Sequence, residues 1–322
     1  MSVEDDLIAR YFKPIATDPG ALGLADDAAV VRGGSDDLVV TTDAIIEGVH
    51  FRSSDPPETV AKKALRVNLS DLAAKGATPA GFVLTLALRE PDERWLSAFA
   101  SGLAEDAIIF DCPLLGGDTV ATPGPLTMSI TAFGRAPPGG MILRSRAQPG
   151  DRIVVSGTIG DAALGLAILS GKVTVGDAAI RESLIDRYRI PQPRIRLAEA
   201  VRNHARAAMD VSDGLAGDLA KLCRASGVSA IIDAAAVPLS EAARGLMEQG
   251  QTSFVFAVSG GDDYEVLCTI AKDSWDNFAR AARSVGVAVT PIGEVIAGNA
   301  APKWLDTKGE DVVLPRLSYS HF

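Results

Sequence analysis

The sequence predicts an α/β protein built from two domains. Its 322 residues exceed the usual size of a single domain, and helical and strand-like apolar patterns alternate along most of the chain. A segment rich in proline and glycine at 136–140 is the best candidate linker. We therefore expect an amino-terminal domain over residues 1–137 and a carboxyl-terminal domain over residues 148–322.

The amino-terminal half predicts a mixed order of helices and strands. Apolar residues recur at helical spacing within 3–16 and again from 56 to about 76, and a third helix is expected over 92–110. Short apolar runs bounded by turn residues predict four strands, at 37–43, 81–88, 113–115 and 126–134.

The carboxyl-terminal half predicts a second set of alternating elements. Strands are expected at 151–156, before 209–214, at 228–233, 254–258 and 264–270, and twice more near the end. Helices are expected from 161, and at 176–188, 193–204, 215–226, 240–249 and 273–285.

Composition excludes several classes of protein. The chain has 41 acidic and 31 basic residues, a formal charge of −10 and no basic cluster, so neither nucleic acid nor an anionic membrane is an expected partner. The longest apolar stretch, 82–88, is far shorter than the ~18 residues of a membrane span, and the amino terminus does not read as a secretory signal. Three widely spaced cysteines predict reduced thiols, hence a cytoplasmic protein.

Acidic residues recur where the predicted strands end. They stand in five segments, at 24–29, 41–43, 116–118, 209–214 and 259–265. Loops at strand ends hold the ligand sites of α/β proteins, and a carboxylate beside a buried strand needs a partner or a cation. Each segment alone is explained by turn or helix-cap chemistry. Together they favour a hard cation with oxygen ligands, for which magnesium is the usual choice beside phosphates.

Asp71 adds a different kind of observation. It stands three residues after Asn68 in the predicted helix, so the two side chains are neighbours at the edge of one helical face. An acid late in a helix opposes the helix dipole at a cost of about 0.3–1 kcal/mol. Asp71 is therefore either a solvated side chain that tolerates this cost or a metal ligand.

The common phosphate-binding motifs are missing from the sequence. It contains no G-x-x-x-x-G-K-[ST], no G-x-G-x-x-G after a strand and no protein-kinase signature. A nucleotide enzyme built on this chain would have to hold phosphates with metals, a few basic residues and loop amides.

Three longer motifs resemble those of one family. They are TDAIIEGVHF at 42–51, VNLSDLAAKGA at 67–77 and MDVSDGL at 209–215. Their order resembles that of the thiamine-monophosphate kinases, which belong to the PurM-like superfamily of aminoimidazole ribonucleotide synthetase. The resemblance implies a cytoplasmic homodimer whose amino-terminal mixed sheets form a barrel, with ATP and several Mg²⁺ bound by the first domain. The second, α/β domain would close over the phosphates while ATP phosphorylates thiamine monophosphate.

The resemblance also implies roles for individual residues. The implied magnesium ligands are Asp27, Thr41, Thr42, Asp43, Asp71, Asp118, Asp210 and Asp213. The implied ATP contacts are Gly117, Asp118, Arg144 and Ser212, with the Phe110 ring placed to pack on adenine. The implied contacts to thiamine monophosphate are His50, Asp262 and Tyr319. The residues expected to act in the transfer itself are Asp43, Asp71, Asp118, Asp210 and Arg144.

Three positions depart from the family pattern. Ala25 replaces a usual glycine, Phe110 replaces a common tyrosine, and Asp262 replaces a usual glutamate and so shortens the reach toward substrate. Two alternatives therefore stay open, namely another ATP-dependent synthetase of the superfamily and a magnesium-nucleotide sensor without turnover.

Overall fold

The structure is a computed structural model, and it describes residues 7–19, 21 and 34–318, except for the side chains of Ile8 and Ala9. The chain forms two compact units. The first consists of residues up to Leu72 together with Ala77–Gly140, and the second consists of Ala73–Gly76 and the chain from Met141 onward. Each unit contains a β-sheet and helices, which confirms the predicted α/β fold class. The barrel formed across a dimer stays a prediction.

The helices and strands alternate along the chain. The strands are β1 Asp37–Ile46, β2 Thr78–Leu88, β3 Leu114–Ala121, β4 Thr127–Ala136, β5 Arg152–Ser156, β6 Ala205–Val211, β7 Val228–Asp233, β8 Glu265–Ile270, β9 Val289–Ala297 and β10 Lys303–Leu305. The α-helices are α1 Pro57–Ala74, α2 Glu93–Ile109, α3 Asp161–Leu169, α4 Ala178–Arg189, α5 Ala198–His204, α6 Leu215–Ser226, α7 Glu241–Glu248, α8 Phe254–Ser259 and α9 Trp275–Ser284. No helix in the described ranges is both long and apolar enough to cross a membrane.

The sheet of the first unit has four strands in the order β1-β4-β2-β3. β4 is antiparallel to both neighbours, whereas β2 and β3 run parallel. Burial alternates along β4, as expected of a strand with one face in the core. On the core face, Met128, Ile130 and Ala132 are fully buried.

The opposite face of this sheet carries exposed apolar side chains. Leu38 and Val40 of β1 are 47% and 54% exposed, and Val120 of β3 is 43% exposed. Val39, between Leu38 and Val40, is buried, because alternate side chains of a strand point to opposite faces of the sheet. We call this exposed side of the sheet the open face.

The sheet of the second unit has six strands in the order β10-β7-β9-β5-β8-β6. Separate apolar clusters cover its two faces. Met209 and Val211 of β6 belong to one cluster, together with Leu219 of α6. Ala208 of the same strand belongs to the other, together with Phe278 of α9. Successive side chains of β6 thus pack into the cores on both faces of the sheet, which holds the end of this strand in place.

Three local predictions differ from the structure. The described part of 3–16 is a π-helical turn, Ile8–Phe12, followed by the 3₁₀ turn Lys13–Ile15, where Pro14 cannot donate a helical hydrogen bond. Residues 254–258 are helical rather than extended, since the Ser253 hydroxyl accepts the Phe256 N–H and caps α8.

The third difference concerns the carboxylates. β1 and β3 both extend beyond their predicted ends. Asp43 is therefore inside its strand rather than at its last position, and Asp118 is inside β3 rather than in a loop after it. The pairing of β3 with β2 depends on the glycine at position 117, because a Cβ there would overlap the carbonyl oxygen of Leu84 in β2. The Gly-Gly-Asp segment therefore marks a close strand approach and not a turn.

The three cysteines are buried and form no disulfide. Burial raises the pKa of Cys112 and Cys268 to about 12 and that of Cys223 to about 11. The thiolate is the reactive species, so a thiol reagent at pH 8 meets almost none of it. We expect fewer than one thiol to react within an hour in the folded protein and three after unfolding in guanidinium. Rapid native reaction with Ellman's reagent would contradict this burial.

Candidate functional site

The carboxyl-terminal half of α1 is hydrogen-bonded to β1, and this contact carries three of the predicted site residues. The Thr41 hydroxyl donates to Asp71 Oδ2 at 2.5 Å. The Asp43 N–H donates to Asn68 Oδ1 at 3.0 Å, and the Asn68 amide is itself oriented by its bond to the Ala64 carbonyl. The predicted neighbours Asn68 and Asp71 thus both reach the strand that holds Thr41 and Asp43.

This contact presents only oxygen atoms as ligands for a metal. Thr41 and Asp43 share one face of β1, Asp71 is half-buried beside them, and the Asp43 side chain is exposed. Mg²⁺ prefers oxygen ligands and usually keeps positions for phosphates and water around one or two carboxylates. The donor set fits that ion. Within the described ranges, however, no three His, Cys, Asp or Glu side chains form a group that could hold a metal by themselves.

Asp118 lies apart from Asp43 in the first unit. Successive strand pairs align Ala44 with Ser129, Ser129 with Thr85, and Thr85 with Asp118. The row of Asp118 is therefore that of Ala44, whose side chain points away from the face of Asp43. Three strand spacings separate β1 from β3, roughly 14 Å. One copy of this unit does not bring Asp118 to the ion that Asp43 could bind.

His50 lies in the turn after β1 and is held from two sides. Its Nδ1 accepts the Ile46 N–H at 3.1 Å, so Nε2 carries the proton when the ring is neutral. Its carbonyl oxygen accepts a bond from the buried Lys63 ammonium at 3.0 Å. No sequence pattern assigned a role to Lys63.

Phe110 follows the last turn of α2 and packs on a buried ion pair. The Arg66 guanidinium lies over the Phe110 ring, 5.2 Å from its centroid. The same guanidinium forks onto Asp106, with bonds of 2.6 and 2.8 Å. One face of the Phe110 ring is therefore covered by a cation, and adenine packing would have to use the rest of the ring.

The second unit brings together the predicted residues of 209–214 and 259–265. Asp210 is buried near the end of β6, and Ser212 and Asp213 follow in the turn before α6. The Asp262 N–H donates to the Ser212 carbonyl at 2.7 Å, and the Tyr264 N–H donates to the Val211 carbonyl at 2.8 Å. Sequence spacing alone could not place these two segments side by side.

Two residues of α6 hold the turn at Ser212 and Asp213. Asp218 Oδ2 accepts both of their N–H groups at 3.0 Å. Lys221 donates to Asp218 and Asp213, at 2.9 and 2.5 Å. Burial raises the pKa of the Asp218 carboxyl, and the hydrogen bond from Lys221 offsets part of that rise. The available signal was the position of Asp218 in the first turn of α6, where the helix dipole favours an acidic side chain.

Arg144 is exposed and belongs to the second unit. Its neighbour Leu143 accepts the Ala208 N–H at 3.3 Å, so the segment of Arg144 lies beside the edge strand β6. The carbonyl of Arg144 accepts the Ser226 hydroxyl at 2.8 Å. Asp27, Ala25 and Tyr319 lie outside the described residues.

The two units correspond to two known sequence families. The model of the AIR synthase related protein, N-terminal domain, matches residues 25–136. The model of the AIR synthase related protein, C-terminal domain, matches residues 148–302. The two units are therefore those of an AIR synthase related protein.

Relatives that match nearly the whole chain identify a narrower family within this class. The chain is 46% identical to thiamine-monophosphate kinase of Caulobacter vibrioides over 99% of its own length and 90% of that protein. It is 40% identical to the thiamine-monophosphate kinase crystal structure from Stenotrophomonas maltophilia, with a TM-score of 0.84 and 96% of each chain covered. It is 31% identical to the structure of AaThiL complexed with AMPPCP and TMP, with a TM-score of 0.79 and coverages of 92% and 91%. The chain belongs to the thiamine-monophosphate kinase family.

Proposed function

We propose that this chain transfers the terminal phosphoryl group of ATP to thiamine monophosphate and releases ADP and thiamine diphosphate. The observation that carries the proposal is the full-length relationship to kinases of that name, at up to 46% identity. A structural relative complexed with AMPPCP and TMP supports the pairing of donor and acceptor.

The chemistry requires little of the protein beyond positioning and charge. The bond between the γ-phosphorus and the bridging oxygen of ATP breaks, and an oxygen of the acceptor phosphate forms the new bond to phosphorus. The acceptor is already ionised at neutral pH, so no strong general base is needed and the transfer is direct. Donor and acceptor are both anions, and bringing them together needs positive charge.

Magnesium is the cation we propose for this role. It would neutralise phosphate charge as the donor and acceptor approach. Thr41, Asp43 and Asp71 would hold it in the first unit. Thr42 is a further candidate ligand there, on the opposite face of β1, where its hydroxyl donates to the Ile130 carbonyl. Asp210 and Asp213 are candidate ligands in the second unit. The all-oxygen contact between α1 and β1 supports this assignment, because its geometry supplies carboxylates and hydroxyls without a nitrogen or sulfur ligand. Asp27 completes the proposed ligand set together with the Asp118 of a second copy, because one copy does not bring its own Asp118 to this contact.

The remaining site residues are proposed to bind the two substrates. Gly117, Arg144 and Ser212 would contact ATP, and Arg144 keeps its charge at every working pH. His50, Asp262 and Tyr319 would contact thiamine monophosphate. Asp262 supplies a counter-charge to the thiazolium cation, and Tyr319 supplies an aromatic face.

We further propose that the protein is a cytoplasmic homodimer joined through the open face of the first unit. Leu38 and Val40 are exposed next to one another on this face, and Val120 is exposed on the same face at the far strand. Adjacent exposed apolar side chains favour association. A two-fold dimer buries the same patch on both copies. The three free, buried thiols support a reducing compartment.

The proposal is tested by product formation. Purified protein with ATP, Mg²⁺ and thiamine monophosphate should form thiamine diphosphate and ADP in equal amounts, measured by fluorescent thiochrome chromatography and coupled ADP release. Thiamine without phosphate serves as the acceptor control. Binding of Mg·ATP by calorimetry without turnover would instead support the sensor, and ADP release with another acceptor would support a synthetase.

A further inference from the structure

The second unit contains a buried charge cluster with no assigned role. Glu265, the first residue of β8, is fully buried. Arg194 forks onto both of its carboxylate oxygens, with an Nε–Oε2 distance of 2.6 Å. Arg187 donates to Oε1 at 2.9 Å, and the Ser156 hydroxyl donates to Oε2 at 2.6 Å. We call Glu265, Arg187, Arg194 and Ser156 the Glu265 cluster.

The cluster joins three separate parts of the unit. Arg187 is on α4, Arg194 follows that helix, and Ser156 ends β5. The Ser156 hydroxyl also accepts the Val266 N–H at 2.8 Å, so it binds the side chain of Glu265 and the backbone beside it. A buried carboxylate is stable only when its charge and lone pairs are matched in this way. The start of β8 is therefore fixed by charge as well as by the sheet.

The residues just before Glu265 have an unusual backbone. Asp262 and Tyr264 have φ angles of 63° and 51°, in the left-handed region that residues other than glycine rarely adopt. Between them, the buried Asp263 carboxylate accepts the Gly160 N–H through both oxygens, at 2.9 and 3.0 Å. Such a conformation persists only where the surrounding structure holds it, and it often lies at a ligand site.

The same segment is packed tightly on the turn that carries Ser212. Besides the two backbone hydrogen bonds described above, a Cβ on Gly261 would lie 2.8 Å from the Ser212 carbonyl oxygen. The Ser212 turn has its own support, because Asp218 accepts its N–H groups. If the Glu265 cluster were lost, the segment of Asp262 would therefore lose its support, while the Ser212 turn would still be held by Asp218.

We propose that Glu265 is a positioning residue for the acceptor, which holds Asp262 in its left-handed conformation so that its carboxylate can meet the thiazolium ring of thiamine monophosphate. The inference rests on the proposed function, since it deepens the role given there to Asp262. It assigns to the Glu265 cluster the task of setting acceptor affinity, while the Asp218 contacts keep the nucleotide side in place.

Glu265→Gln tests this role. Both oxygens of Glu265 accept guanidinium N–H groups, so either orientation of a glutamine amide places its NH₂ against a donor. We expect the KM for thiamine monophosphate to rise about tenfold, with kcat and the Kd for AMPPCP unchanged within about twofold. Glu294→Gln is the matched control, because Glu294 pairs with Lys272 at the surface of the same unit. It should leave all three constants unchanged.

A merely structural role gives a different result. It would lower Tm and the active fraction, so kcat would fall while the KM for thiamine monophosphate stayed at its wild-type value, and this outcome would overturn the proposal. If Glu265→Gln fails to fold, Arg194→Lys keeps the charge but cannot fork onto both oxygens, and the same rise in KM is expected. Inactive wild-type protein would refute the proposed function instead, so the two failures are distinguishable.

Discussion

Asp43→Asn should lower kcat/KM for thiamine diphosphate formation by roughly 10²- to 10³-fold, the range seen when a preorganised charge-stabilising group is removed. The Asp43 side chain is exposed, so the core does not depend on its charge. The backbone N–H that bonds to Asn68 is unchanged by the substitution. Asparagine also keeps the shape of the side chain, so the loss can be assigned to the carboxylate as a ligand.

The control is Asp36→Asn, which removes the same charge from an exposed position just before the same strand. It should retain wild-type kcat/KM. Circular dichroism and Tm would show that both variants are folded, and a rise in the Mg²⁺ concentration for half-maximal activity would connect Asp43 to the metal. Full activity of Asp43→Asn at ordinary Mg²⁺ would remove Asp43 from the proposed site.

Mixed dimers of Asp43→Asn and Asp118→Asn should be active although each homodimer is nearly inactive. Asp118 lies on the open face of the sheet. In the same copy, three strand spacings, roughly 14 Å, separate it from Asp43. Asp118 and Asp43 of one copy also lie on opposite faces of the sheet, so a site that needs both carboxylates must take its Asp118 from the second copy. The mixed dimer then contains one intact site and one doubly altered site, so about half of wild-type activity is expected.

The experiment requires purified hybrids. Two different affinity tags on the co-expressed variants, followed by two capture steps, isolate the mixed species, and native mass spectrometry confirms its composition. A hybrid of Asp43→Asn with Asp71→Asn is the matched control, because both residues lie at one contact within the same copy and no intact site can form. An inactive Asp43→Asn and Asp118→Asn hybrid would show that each copy uses its own Asp118.

Local sequence patterns predict most of the elements and the identity of the acidic segments. Alternation along 127–136 and the helical spacing of 57–74 are local properties, so strand and helix follow from them. The exact ends of β1 and β3 do not follow, because the neighbouring strands decide how far pairing continues. Gly116 and Gly117 suggest a turn in isolation, yet the close approach of Leu84 makes them part of a strand.

The sequence could not identify the residues that support the site, because their contacts join distant parts of the chain. Glu265 receives its bonds from Arg194, Arg187 and Ser156, which are 71, 78 and 109 positions away in the chain. No local periodicity records such a contact, and an acid near a glycine-rich loop has the same local pattern whether it binds substrate or an arginine. Asn68 and Asp71 were within reach, because their spacing on one helix already makes them neighbours.

The shielding of Cys112, Cys223 and Cys268 has a practical consequence for studying assembly. A single new cysteine on the surface, for example Ser101→Cys on the exposed side of α2, would be the only fast-reacting thiol in the labelling reaction. Donor and acceptor dyes could then be attached to separate batches of protein without first removing the native thiols. Energy transfer after mixing would report how quickly copies exchange partners, which sets the time available for preparing hybrids.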